Sequence, residues 1–208
     1  MFDYIVKDVM EVAGYLSIGI LCGILAVAIY LGCVWYSERK RHLQTHLPDG
    51  SRGIDDNDVP AAVSAGTHIW NSMVWFLLGV YLAVMFVTVF LSREPGSRQG
   101  IDMTLFGTWG VTPQEHAFVI ENILLFVPFG ILYPLAVSGK GRKTDLRRKI
   151  GWEKFTVLWG FLISVGIETV QLITERGYCQ LDDVVMNTLG ALEGYVVFAT
   201  LKFIFKKK

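Results

Sequence analysis

The chain has 208 residues, 52% hydrophobic and 18% charged, with a mean hydropathy of +0.44, whereas a soluble domain carries about 25% charged residues. Lys+Arg and Asp+Glu number 19 each, so no net field recruits nucleic acid, and the composition points to membrane lipid as the main surroundings. Cys22, Cys33 and Cys179 are scattered; they form neither a disulfide framework nor a metal-ligand spacing and read as unpaired packing residues.

Five apolar runs approach the roughly 20 residues that a helix needs to cross a bilayer. They cover residues 15–36, 70–91, 118–137, 155–173 and 185–205. Tyr15, Trp35, Tyr36, Trp70 and Trp152 sit near their ends, as interfacial aromatic belts do. The first run follows a net acidic flank and is too long for a signal-peptide core, so it reads as a membrane span and not as a cleaved leader. The spacing therefore predicts an all-α polytopic protein, a bundle of five transmembrane helices.

Orientation follows from Lys and Arg in the connections. The N-terminal tail and successive loops carry 1, 4, 2, 6 and 1, and the C-terminal end carries 4. The alternation predicts an N-terminus outside and a C-terminus in the cytoplasm of a plasma membrane protein. In the cytoplasmic loop 37–69, His42 and His46 stand four apart and the stretch 53–60 reads GIDDNDVP. That pattern makes a turn and a helix cap more readily than a metal site. The chain has no phosphate-cradling glycine loop, nucleophile elbow or HExxH motif, and no cofactor or metal is expected.

The same topology gathers polar residues that are scattered in sequence. The third span runs inward and carries Glu121 and Asn122 near its outer end; the fourth runs outward and carries Glu168 and Gln171 near its own. The fifth starts at the outer side with Asp183 and Asn187. At 1.5 Å per residue Glu168 lies about 8 Å below the outer boundary, so six groups from three helices are expected at one depth. Glu168, Gln171 and Glu175 fall at i, i+3, i+7 on one face. Asp182 or Asp183 suits the N-cap of the fifth helix. Gly190 and Gly194 continue the polar start with small residues that admit a neighbouring backbone, or a second copy in a homo-oligomer. Pro128 is expected to kink the third helix below Asn122. Arg176 can neutralise Glu168 or Asp183, in which case the cluster is only a structural lock between helices. Glu193, near mid-membrane, reads as structural, and His116 as an interfacial residue.

Two blocks carry a family resemblance. One is residues 121–134, ENILLFVPFGILYP; the other runs over 168–195, with Glu168-x-x-Gln171, Arg176, Asp182-Asp183-x-x-x-Asn187-Thr188-x-Gly190 and Gly194-Tyr195. With these motifs the chain resembles the VanZ-like family of small polytopic membrane proteins. The likeness divides it into an N-terminal helix and cytoplasmic loop, 1–69, and a four-helix membrane domain, 70–208. Glu193 departs from the family pattern, where an apolar residue is usual. The resemblance implies a link to glycopeptide resistance in Gram-positive bacteria, especially to the lipid-tailed teicoplanin. It maps motif residues onto Asn122, Phe126, Pro128, Gly130, Glu168, Gln171, Arg176, Asp182, Asp183, Asn187 and Gly190.

Two mechanisms fit these residues. Glu121, Asn122, Glu168, Gln171, Arg176, Asp182, Asp183 and Asn187 can bind a lipid-linked cell-wall precursor or a lipoglycopeptide through mixed donors and acceptors. Alternatively, Glu168 with Asp182 or Asp183 supplies the acid and base of an intramembrane hydrolase or transferase acting on an envelope lipid. A transporter is disfavoured, because paired broken helices and an inverted repeat are both missing.

Overall fold

In the computed structural model the described residues are 12–45, 65–91, 100–107, 112–138 and 151–206, with Val6, Met10, Glu94 and Gly96. His46 and the stretch 53–60 lie outside them, as does the side chain of His42. Helix α1 is Leu16–Thr45 and α2 is Ala65–Phe86, which continues as a π-helical turn, Val87–Leu91. A two-residue strand β1, Ile101–Asp102, leads to α3, Pro113–Val137. A 3₁₀ turn, Trp152–Phe155, opens α4, Thr156–Thr174; strand β2, Cys179–Gln180, then joins directly to α5, Leu181–Lys206.

Five of these helical segments are long and apolar enough to cross a membrane: Leu16–Arg39, Gly66–Leu91, Pro113–Val137, Trp152–Thr174 and Leu181–Phe205. Each expected span is present. The third begins earlier than its apolar run because Thr112 and Glu115 form a reciprocal capping box, with Pro113 in the first turn; this closes the helix N-terminus before hydrophobic residues begin. The fifth begins at Leu181, so Asp182 and Asp183 occupy its first turn and neither is the N-cap expected from sequence. They keep the favourable placement at the positive end of the helix dipole.

The core is small and lies where α2, α3, α4 and α5 meet. Met85, Val89, Phe126, Phe129, Ile167 and Ala191 are buried there, with Tyr81, Phe90, Leu125, Tyr133 and Ile163 packed around them. The Tyr81 hydroxyl donates to the Leu125 carbonyl at 2.8 Å and joins α2 to α3. Large apolar side chains cover the outside of every long helix, among them Leu21, Ile29, Trp35, Phe86, Phe161, Ile173 and Phe203. In water that much exposed apolar surface would drive aggregation; in lipid it is the ordinary exterior.

Glycines set the closest approach. A Cβ at Gly190 would run into the Ile123 carbonyl, one at Gly194 into that of Val127, and one at Gly130 into that of Ala191. Helices α3 and α5 therefore pack backbone to backbone, and Gly190 and Gly194 are consumed inside the bundle instead of forming an oligomer surface. Helix α1 packs on α2 by the same device, with Gly19, Gly23 and Gly79 at the contact.

The α2–α3 and α4–α5 connections lie on one side of the bundle and are tied together there. β1 and β2 pair in parallel, Ile101 with Cys179 and Asp102 with Gln180. The Gly96 N–H donates to the Glu175 carbonyl and the Cys179 N–H to the Gly100 carbonyl, at 2.9 and 3.0 Å.

Candidate functional site

The site is built outward from one face of α4. Ser164, Glu168 and Gln171 recur at i, i+4, i+7, so they stack on one stripe, and in this bundle the stripe faces inward. They are 0%, 3% and 2% exposed, and Asn187 on α5 is 3% exposed. Polar groups buried so deeply need partners, since each one left without costs about 1–3 kcal/mol.

Most of them are hydrogen-bonded within the bundle. The Asn187 side-chain amide donates to Ser164 Oγ at 2.8 Å, linking α5 to α4. The Asn122 amide donates to Asp183 Oδ1 at 2.7 Å, linking α3 to α5. Glu168 Oε2 accepts from the Gln180 backbone N–H at 2.9 Å. Asp182, which is 1% exposed, accepts from the Phe106 N–H at 2.5 Å and anchors the α2–α3 loop. Asn122, Glu168 and Asn187 thus each make a separate hydrogen bond that ties two elements together, α3 to α5, α4 to β2 and α5 to α4. Glu121, the neighbour of Asn122, is half-buried on α3.

The remaining contacts involve main chain that no polar pattern reveals. The π-helical turn at the end of α2 offers carbonyls to side chains: Gln171 Nε2 donates to Val89 O at 3.4 Å, and the Arg176 guanidinium donates to Phe90 O. A π turn departs from the i→i−4 ladder and often marks a functional region. Ser164, Val89, Phe90 and Phe106 are residues that sequence reasoning missed. Ser164 alone left a signal, because it sits one turn from Glu168 on the same stripe.

Glu175 departs from expectation. Helix α4 ends at Thr174, and Glu175 is exposed in the left-handed conformation with φ 55° and ψ 32°. The i+7 alignment with Glu168 fails because the helix stops before reaching it. Arg176 reaches the Phe90 carbonyl because the chain turns there, its N–H returning to the Gln171 carbonyl at 3.0 Å. Cys179 follows close to the carboxylates. Burial first, then the charges of Glu168 and Asp183, pushes its thiol pKa up.

Several buried side-chain atoms make no hydrogen bond among the described residues, and two of them lie in this layer. They are Gln171 Oε1 and Asn187 Oδ1. The Gln171 orientation is the one that lets its nitrogen donate to the Val89 carbonyl. No group of three or more His, Cys, Asp or Glu side chains able to hold a metal ion occurs among the described residues. Together these features define a polytopic α-helical membrane protein with a buried, acceptor-rich polar layer toward one end of its bundle. The family model VanZ/LLP1 matches residues 73–204, and the chain belongs to that family. No curated protein and no solved structure matches it.

Proposed function

We propose that this VanZ-type membrane protein presents its polar layer at the extracytoplasmic face. There it binds the hydrophilic part of a lipid-linked cell-wall precursor or of a lipid-tailed glycopeptide such as teicoplanin, and so reduces capture of the precursor by drug. Orientation rests on the alternating Lys and Arg counts of the connections. The observation that carries the reading is the pair of buried, unpartnered oxygens, Gln171 Oε1 and Asn187 Oδ1. An acceptor left open in this way is satisfied by a ligand that donates, and sugar hydroxyls and peptide N–H groups are such donors.

Glu168, Asp182 and Asp183 already accept hydrogen bonds from Gln180, Phe106 and Asn122. Oxygens already held by the bundle's own donors suit fixed acceptors better than an acid and base that must reach a substrate. Binding therefore ranks above hydrolysis or group transfer.

The test is mass spectrometry of lipids that co-purify with wild type, Glu168→Gln and Gln171→Leu. Glu168→Gln keeps an oxygen for the Gln180 N–H, so the fold survives. Selective loss of one polyprenyl-linked species from the variants is the expected result. Identical lipid profiles would reduce the layer to a helix lock. Conversion of a purified precursor, abolished by Glu168→Gln, would establish an enzyme instead.

A further inference from the structure

Glu193 is the central residue of the Leu181–Phe205 span, twelve residues from either end, or about 18 Å at 1.5 Å per residue. Its side chain is exposed on the outside of the bundle. A carboxyl at that depth facing hydrocarbon is costly and calls for a partner. The bundle supplies none among the described residues, because α5 turns its other face inward: Asn187, Gly190, Ala191, Gly194 and Phe198 are buried there.

Glu193 lies in a wide outward surface of α5 that also includes Leu192, Val197, Leu201 and Ile204, and one stripe of that surface passes through it. Leu189, Glu193, Val196, Thr200 and Phe203 are all exposed and follow one another at intervals of 4, 3, 4 and 3. Alternation of this kind is the seam of a left-handed pair of helices, in which one polar residue among apolar ones sets register and partner number. Two copies inserted in the same orientation hold Glu193 at identical depth. A two-fold axis parallel to the helices then brings the residue against itself, as isologous contacts require. Two carboxyls that share a proton complement each other, one donating and the other accepting.

We propose that the outward face of α5 is a self-association surface, where Glu193 of one protomer meets Glu193 of a second, parallel copy. This surface is separate from the polar layer and does not depend on what that layer binds. The seam leaves the buried face of α5 untouched, so dimerisation leaves the fold of each copy intact.

The test measures energy transfer between donor- and acceptor-labelled full-length chains in liposomes, diluted with increasing lipid. Wild type should associate. Glu193→Gln, which keeps a donor and an acceptor, should stay within threefold of it, and Glu193→Leu should associate at least tenfold more weakly. Cross-linking supplies a second readout. With the native cysteines replaced by serine, Val196→Cys should form disulfide dimers and Leu162→Cys, exposed on α4, should not. A wild type that is monomeric at every dilution overturns the proposal, as does undiminished association of Glu193→Leu or preferential cross-linking through position 162.

Discussion

At the scale of single residues, the polar layer divides into groups that hold each other and groups with no hydrogen-bond partner among the described residues. Asn122 belongs to the first kind. Removing its amide in Asn122→Ala deprives Asp183 of a charge-assisted donor in a half-buried setting, and should destabilise by about 1–3 kcal/mol. Thermal unfolding in detergent measures this, and an unchanged melting temperature would show that the bond contributes nothing. Gln171 Oε1 and Asn187 Oδ1 are the second kind, and the proposed binding role rests on them. Cys179 reports on the charges nearby. Its thiol pKa is raised by burial and by Glu168 and Asp183, so at any given pH it holds less of the reactive thiolate than an ordinary cysteine. Maleimide labelling of Cys179 should thus be slow at neutral pH and accelerate only above the usual thiol range. Asp183→Asn removes one negative charge and should shift that profile to lower pH. A profile identical in the variant would mean that the Asp183 charge is not felt at the thiol.

Among elements, the decisive contact is α3 against α5. It depends on the absence of side chains, and the three glycines involved leave their partners' carbonyls no room for a Cβ. Gly194→Leu should force the helices apart and cost about 1–3 kcal/mol or more, as overpacking does. Gly166→Ala on α4, where nothing lies within 4 Å, should be neutral or stabilising by about 0.5–1 kcal/mol through helix propensity. Melting curves of the two variants distinguish packing from propensity, and equal losses would refute the close-approach account. The short β1–β2 pairing acts at the same scale. Its four residues join the two loops from which the Phe106 N–H reaches Asp182 and the Gln180 N–H reaches Glu168.

For the whole molecule, the prediction concerns orientation. If the N-terminus and the 92–117 and 174–183 loops face outward, a cysteine placed at exposed Met103 in a cysteine-free background should label with a membrane-impermeant maleimide in intact cells. One placed at position 145 should label only after permeabilisation. The reverse pattern would invert the bundle, put the polar layer at the cytoplasmic face and remove the route to a cell-surface ligand. The five spans also enclose little. α1 leans on α2 by its glycines while most of its surface stays exposed, so the bundle proper is the four helices that carry the family match.

The sequence by itself determined the number and approximate limits of the spans, because hydrocarbon thickness sets a minimum length that apolar runs either meet or miss. It also nominated Asn122, Glu168, Gln171, Asp183 and Asn187, since polar residues in such runs are rare enough to stand out. Only the tertiary structure decided who bonds to whom. Val89, Phe90 and Phe106 act through backbone groups, which every residue carries and no side-chain pattern distinguishes. Glu175 left the shared face because a left-handed turn ended α4. The glycines of α5 were legible as small residues, but that they face α3 and not a second copy follows from how the helices rotate against each other. Rotation of that kind depends on contacts summed over several helices, which no single segment encodes.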